Sequence, residues 1–223
     1  MNDNRLQTQE VGIAAGGVQL NGVLTIPEAA HAIVVFAHGS GSSRSSPRNR
    51  HVAEVLHAAG LATLLFDLLT EQEHRLDQVS GQYRFDIPLL AGRLEAVLDW
   101  LYASPGTDSL RVGLFGASTG AAAALIAASV LPDDVGAVVS RGGRADLAGD
   151  ALPHVEAPTL LIVGEHDEEV LQLNQLAATR MQCEHRIMIV ADATHLFEEP
   201  GTLDHAARLA CDWFLSKLTP VIG

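Results

Sequence analysis

Three polar residues stand where acyl-transfer chemistry would need them: Ser118, Asp167 and His195. Ser118 lies in the segment VGLFGASTG (residues 112–120), a G-x-S-x-G pattern set between an apolar run and an Ala-rich helical run. A serine there sits on a tight strand-to-helix turn. Small flanking residues let the chain fold back without a clash, and the turn lifts the hydroxyl clear of the sheet. It also brings the hydroxyl near a helix amino terminus, whose free amides and dipole favour developing negative charge.

A serine hydroxyl is a poor nucleophile until a base takes its proton, and that base must be held in one tautomer. In a strand–serine–helix arrangement of this kind the chain order is nucleophile, acid, histidine. Residues 164–167 read GEHD after an apolar run, and Asp167 is the expected acid, with Glu165 and His166 as local competitors; Glu168 is placed to start the next helix. Residues 191–197 read ADATHLF after the last apolar run, and His195 is the expected base. One of 10 histidines in such a place means little alone. Three suitable loops in the right order mean more.

The tetrahedral intermediate of acyl transfer needs amide donors. The backbone N–H of Thr119, next to the nucleophile, is one expected donor. The other is the amide of Ser40, in the loop HGSGS (residues 38–42). Positive charge is scarce, yet Arg44, Arg48 and Arg50 follow that loop, and Arg141 and Arg144 stand in SRGGR; these are five of the 14 cationic residues. One reading is that Arg44, Arg48, Arg141 and Arg144 bind an anionic group, a carboxylate or phosphate, on the substrate. The competing expectation is that they pair with acidic neighbours such as Asp67 and Glu71 and hold loops.

The elements that must position these groups alternate. Residues 11–15 and 18–26 read as an antiparallel pair turning at Gly16-Gly17. Strands are expected at 32–37, 62–67, 112–115, 137–140, 159–163 and 185–190, and helices at 49–59, 87–103, 119–131, 168–181 and 203–218. Residues 68–83 read as irregular, and 141–155 as a loop. Continuous apolar runs such as AIVVFA (residues 32–37) suit strands covered on both faces. Parallel strands need long crossovers, which helices supply. The expectation is an α/β fold with a mostly parallel twisted sheet, helices on both faces, and functional loops at the carboxyl ends of strands.

The HGSGS, GASTG, GEHD and ATHLF segments together resemble the α/β-hydrolase superfamily, and within it the dienelactone hydrolase-like branch. The resemblance runs from about Val18 to Leu218. It implies an eight-stranded sheet and hydrolysis of an ester or lactone without a cofactor. True dienelactone hydrolases use a cysteine nucleophile, and Ser118 stands in its place here, which points toward general carboxylesterase chemistry. The short connection between Ser140 and Thr159 leaves no room for a large lid, so residues 1–223 read as one domain.

Composition excludes other classes. An apolar fraction of 48% with 18% charged residues describes a folded chain with a full core. A net charge of −13 works against nucleic acid and against an anionic membrane surface. Cys183 and Cys211 are too few for a disulfide framework and lack zinc-site spacing, so no metal is expected. Cys211 reads as a buried core thiol. Residues 1–10 are polar, without the apolar core of a signal peptide, and the longest apolar stretch, residues 121–131, is too short for a bilayer. A cytoplasmic location is the default, and oligomeric state stays open.

The leading expectation is a serine hydrolase acting on a small-molecule ester or lactone through an acyl-enzyme. A thioesterase or small peptidase would use the same residues. A non-catalytic binding module on the same fold is the alternative from a different class.

Overall fold

The computed structural model describes residues 6–219. Eight strands form one sheet in the order β1-β2-β4-β3-β5-β6-β7-β8. They are β1 Leu6–Ala15, β2 Val18–Pro27, β3 Ala32–Ala37, β4 Ala62–Phe66, β5 Arg111–Ala117, β6 Val135–Arg141, β7 Thr159–Gly164 and β8 His185–Val190. The β1–β2 and β2–β4 pairs are antiparallel and the rest of the sheet is parallel. The β1–β2 hairpin turns at Gly16 and Gly17, whose φ values of 57° and 85° need residues without a Cβ. The polar segment read at residues 1–10 lies partly outside the described residues; from Leu6 onward it belongs to β1.

The helices are α1 Pro47–Ala58, α2 Glu71–Ser80, α3 Ile87–Ala103, α4 Thr119–Val130, α5 Glu168–Ala178 and α6 Thr202–Leu218. Helices α1 and α6 cover one face of the sheet. There Val34, Phe36, Leu65, Phe115, Val139 and Ile162 pack against Val52, Leu56 and Phe214. Helices α3 and α4 cover the other, where Ile33, Val35, Leu64, Leu114, Val138 and Leu161 meet Leu94, Leu98 and Leu125. The period-two alternation of each strand thus feeds two cores, which is why β3, β4 and β7 are buried throughout. Each fully buried Leu or Phe contributes about 1.5–3 kcal/mol. Helix α4 packs against β5, β6 and α3; nine of its residues are buried, and the small size of most of them permits close approach. Cys211 is buried on α6.

Two segments differ from the sequence expectation. Residues 68–83 are not irregular: they contain α2, closed by a capping box between Thr70 and Glu73 and by Gly81 at φ 67°. Its Leu76 and Val79 are exposed and its one buried residue is Asp77, so it has no apolar stripe to read. Residues 141–155 are not a plain loop either. They hold a 3-10 segment, Ala145–His154, broken at Gly149 and seated by Ala145, Ala148 and Leu152. Among the described residues, no helix is long and apolar enough to cross a membrane.

The parallel register aligns the carboxyl ends of the strands. Ala37 pairs with Gly116, Ala117 with Arg141, and Gly164 with Val190. The loops that follow therefore open along one edge of the sheet.

Candidate active site

Ser118 joins β5 to α4 with φ 50° and ψ −124°, a backbone region that residues with a Cβ rarely occupy. Such strain costs about 1–3 kcal/mol and persists only where neighbours enforce it. Here the Ser118 amide donates to Arg141 O at 3.4 Å, while its carbonyl accepts from Ala121 N at 3.1 Å and Arg144 N at 3.0 Å. The flanking glycines are required by space. A Cβ on Gly116 would lie 2.4 Å from Ala121 Cα, and one on Gly120 would lie 2.1 Å from Ala37 O. Ser118 is also the N-cap of α4, yet its side chain makes no capping bond, so Oγ is left for other partners.

Asp167 follows β7 and His195 follows β8. His195 Nδ1 and Asp167 Oδ2 are 2.6 Å apart, with the imidazole 40% exposed and the carboxylate 12% exposed. Main-chain bonds hold the two loops together: Glu165 N donates to Val190 O at 2.9 Å and His166 N to Ala193 O at 2.9 Å. Gly164 permits this contact, since a Cβ there would lie 2.3 Å from Ala193 O. The local competitors are placed elsewhere. Glu165 is exposed and accepts from Asp192 N, and His166 is exposed beside it. Ser118 and His195 line one cleft of about 250 Å³ with Gly39, Ser40, Ser46, Arg48, Asn49, Arg141 and Leu196. No hydrogen bond joins the Ser118 hydroxyl to His195 among the described residues; in ligand-free sites such bonds are commonly loose and tighten when substrate binds.

The loop after β3 passes over the serine, with the Cβ position of Gly39 2.9 Å from Ser118 Cβ. His38 anchors it. Leu68 N donates to His38 Nε2 at 3.0 Å, so Nδ1 carries the proton and donates to Gly39 O at 2.9 Å. Burial holds His38 below the ordinary histidine pKa and keeps it neutral, as this pairing requires. The amides of Ser40 and Thr119 donate to no other group among the described residues. Sequence reasoning had no signal for the His38 anchor beyond the motif that contains it.

The structure divides the four arginines. Arg44 bonds Asp67 through its main chain at 2.7 Å and through its guanidinium. Arg144 forms a two-pronged pair with Asp146, both distances 2.8 Å. Neither lines the cleft. Arg48 and Arg141 do. Arg48 reaches Glu198 only at 3.6 Å. Arg141 is 7% exposed, pairs with no carboxylate among the described residues, and stacks over Phe197 with its guanidinium carbon 5.5 Å from the ring centre. Its Nε has no hydrogen-bond partner. Burial, and then the like charge of Arg48, lower its pKa to about 10, so it stays protonated at neutral pH.

With this geometry in view, the chain is similar to known proteins along most of its length. Residues 30–219 match the family described as "Alpha/beta hydrolase domain". A dienelactone hydrolase from Anabaena variabilis is 56% identical, with a TM-score of 0.95 over 96% of this chain and 99% of that one. Est1E from Butyrivibrio proteoclasticus shares the fold at 16% identity, with a TM-score of 0.76 over 93% and 98% of the two chains. Two Mycobacterium tuberculosis proteins, provisionally named phosphoribosyl transferases, are 58% identical over 97% of this chain. The chain spans about half the length, 48%, of those curated relatives.

Proposed function

The chain belongs to the α/β-hydrolase family, in its dienelactone hydrolase-like branch, and on that premise we propose that it is a serine hydrolase of small-molecule carboxylic esters or lactones. The observation that carries the proposal is the strained, uncapped Ser118 in one cleft with an imidazole held by Asp167. The Nδ1 bond to the carboxylate leaves Nε2 as the free base. Ser118 Oγ attacks the substrate carbonyl as His195 Nε2 takes its proton. The amides of Ser40 and Thr119 receive the oxyanion. His195 returns the proton to the leaving oxygen, and water then cleaves the acyl-serine by the same steps. We read the chain as one hydrolase unit working without a large lid, and assign the transfer activity in the mycobacterial name to the part of those proteins this chain does not span. A fluorophosphonate probe is expected to add once, on Ser118, by intact mass and peptide mapping. A well-folded protein that takes up no label would move the binding-module reading ahead.

Arg141 supports a preference within this class. A buried guanidinium without a carboxylate loses several kcal/mol of solvation. A substrate anion would offset that loss, with Arg48 and the amino-terminal turn of α1 facing the same space. Arg44 and Arg144 we read as holding loops. The expected result is a kcat/KM for p-nitrophenyl hemisuccinate about ten- to a hundredfold above that for p-nitrophenyl butyrate, from charge-assisted bonds of about 1.5–3 kcal/mol. Arg141→Met should bring the two esters together. Equal kcat/KM values in the unaltered protein would end the anionic-substrate proposal.

A further inference from the structure

We propose that the side chains of Ser40 and Thr119 form a clasp that fixes the spacing of the two oxyanion amides, and that the segment between α2 and α3 anchors it. The inference rests on the hydrolase reading above and adds positioning residues to it.

Ser40 Oγ and Thr119 Oγ1 are 2.9 Å apart, although the residues lie 79 positions apart in the chain. Ser40 Oγ also donates to Arg84 O at 3.3 Å. A carbonyl oxygen only accepts, so the single Ser40 proton goes to Arg84. Thr119 must then donate to Ser40. The hydrogen bonds run in one direction, from Thr119 to Ser40 to Arg84, and neither hydroxyl keeps a proton for the substrate. The hydroxyls therefore do not serve as third and fourth oxyanion donors. They tie the loop after β3 to the first turn of α4, the two elements whose amides must converge on one oxygen.

The far end of the chain of bonds is fixed. Asp77 on α2 is 2% exposed and accepts from Tyr83 N at 2.8 Å, Arg84 N at 2.9 Å and Arg84 Nε at 2.8 Å. Arg84 Nη2 donates back to Asp77 O at 2.7 Å. Burial alone would raise the Asp77 pKa, but these bonds outweigh it and hold the carboxyl below its ordinary value. The Arg84 carbonyl is thus presented by a rigid turn. Without the clasp, the loop at residues 38–42 would have His38 as its remaining side-chain anchor, on the opposite side of Gly39 from the Ser40 amide.

The test uses p-nitrophenyl butyrate hydrolysis and inhibition by phenylboronic acid, which forms a tetrahedral adduct at an activated serine. Misplacing a catalytic group by about 1 Å costs about a hundredfold in rate. Ser40→Ala and Thr119→Val are expected to lower kcat by about ten- to a hundredfold with KM within about twofold, and to weaken phenylboronic acid in parallel. Thr119→Ser keeps the hydroxyl and should recover most of the rate that Thr119→Val loses. Ser40→Ala combined with Thr119→Val should be no worse than Ser40→Ala alone, because both remove the same bond. Losses that multiply in the double variant, or a Ser40→Ala kcat within about twofold of the original, would overturn the clasp. The two readings fail differently. Fluorophosphonate labelling of Ser118 with no kinetic effect of Ser40→Ala defeats the clasp alone, whereas no labelling of the unaltered protein defeats the hydrolase reading and the clasp with it.

Discussion

Ser118→Ala is expected to lower kcat by about a millionfold while leaving the protein folded. Both halves of this expectation come from the elbow. Ester cleavage here depends on one oxygen forming a bond to the acyl carbon, and of the cleft-lining serines Ser40, Ser42, Ser46 and Ser118 only Ser118 stands on the elbow between β5 and α4. Ser40 is engaged with Arg84 and Thr119, and Ser46 caps α1 by accepting from Asn49 N. Loss of the nucleophile therefore leaves only binding and the oxyanion amides, which together still exceed uncatalysed hydrolysis by about 10³–10⁴-fold in sites of this type. Stability should change little. Serine and alanine carry the same Cβ into the φ 50° backbone, and the serine hydroxyl makes no cap to lose. Steady-state hydrolysis, with thermal unfolding of both proteins, checks the pair of expectations. Residual activity above about one hundredth of the original would mean that Ser118 is not the nucleophile.

That Ser118, Asp167 and His195 come together was legible because it depends on strand order and local turn geometry. The glycines around Ser118 report a close approach, and the structure gives its cause in Ala121 Cα and Ala37 O. The strand and helix periods likewise marked the elements that bury a face. Helix α2 was hidden because it buries almost nothing apolar and is held by its ends. The Thr70–Glu73 spacing was the signal that could have revealed it. The arginines were ambiguous for another reason. Whether a guanidinium meets a carboxylate depends on side-chain reach across loops, so Arg44 and Arg141 look alike in sequence. Yet one is bound to Asp67 and the other is buried without a carboxylate. The clasp was beyond reach for both reasons at once, since its anchor, Arg84, follows the unread helix.

Asp167→Asn is expected to lower kcat by about ten-thousandfold. The carboxylate can only accept, so it selects the imidazole tautomer with the proton on Nδ1 and leaves Nε2 able to take the serine proton. An asparagine can turn its NH2 toward Nδ1 and stabilise the opposite tautomer, in which Nε2 carries the proton and cannot act as a base. The geometry would survive while the proton stands on the wrong nitrogen. No neighbour can substitute. Glu165 is turned to the Asp192 amide, Glu168 lies in the exposed first turn of α5, and Glu199 accepts from the Thr194 amide and hydroxyl at 3.0 and 2.6 Å. Glu165→Gln should accordingly remain within about threefold of the original, as an exposed group away from the imidazole. The comparison is made on kcat with p-nitrophenyl butyrate, measured for both variants beside the unaltered protein. An Asp167→Asn protein within tenfold of the original, beside a Glu165→Gln protein that has lost activity, would move the acid to Glu165. In that case the 2.6 Å pair between His195 and Asp167 would be a loop tie rather than the orienting bond of a base.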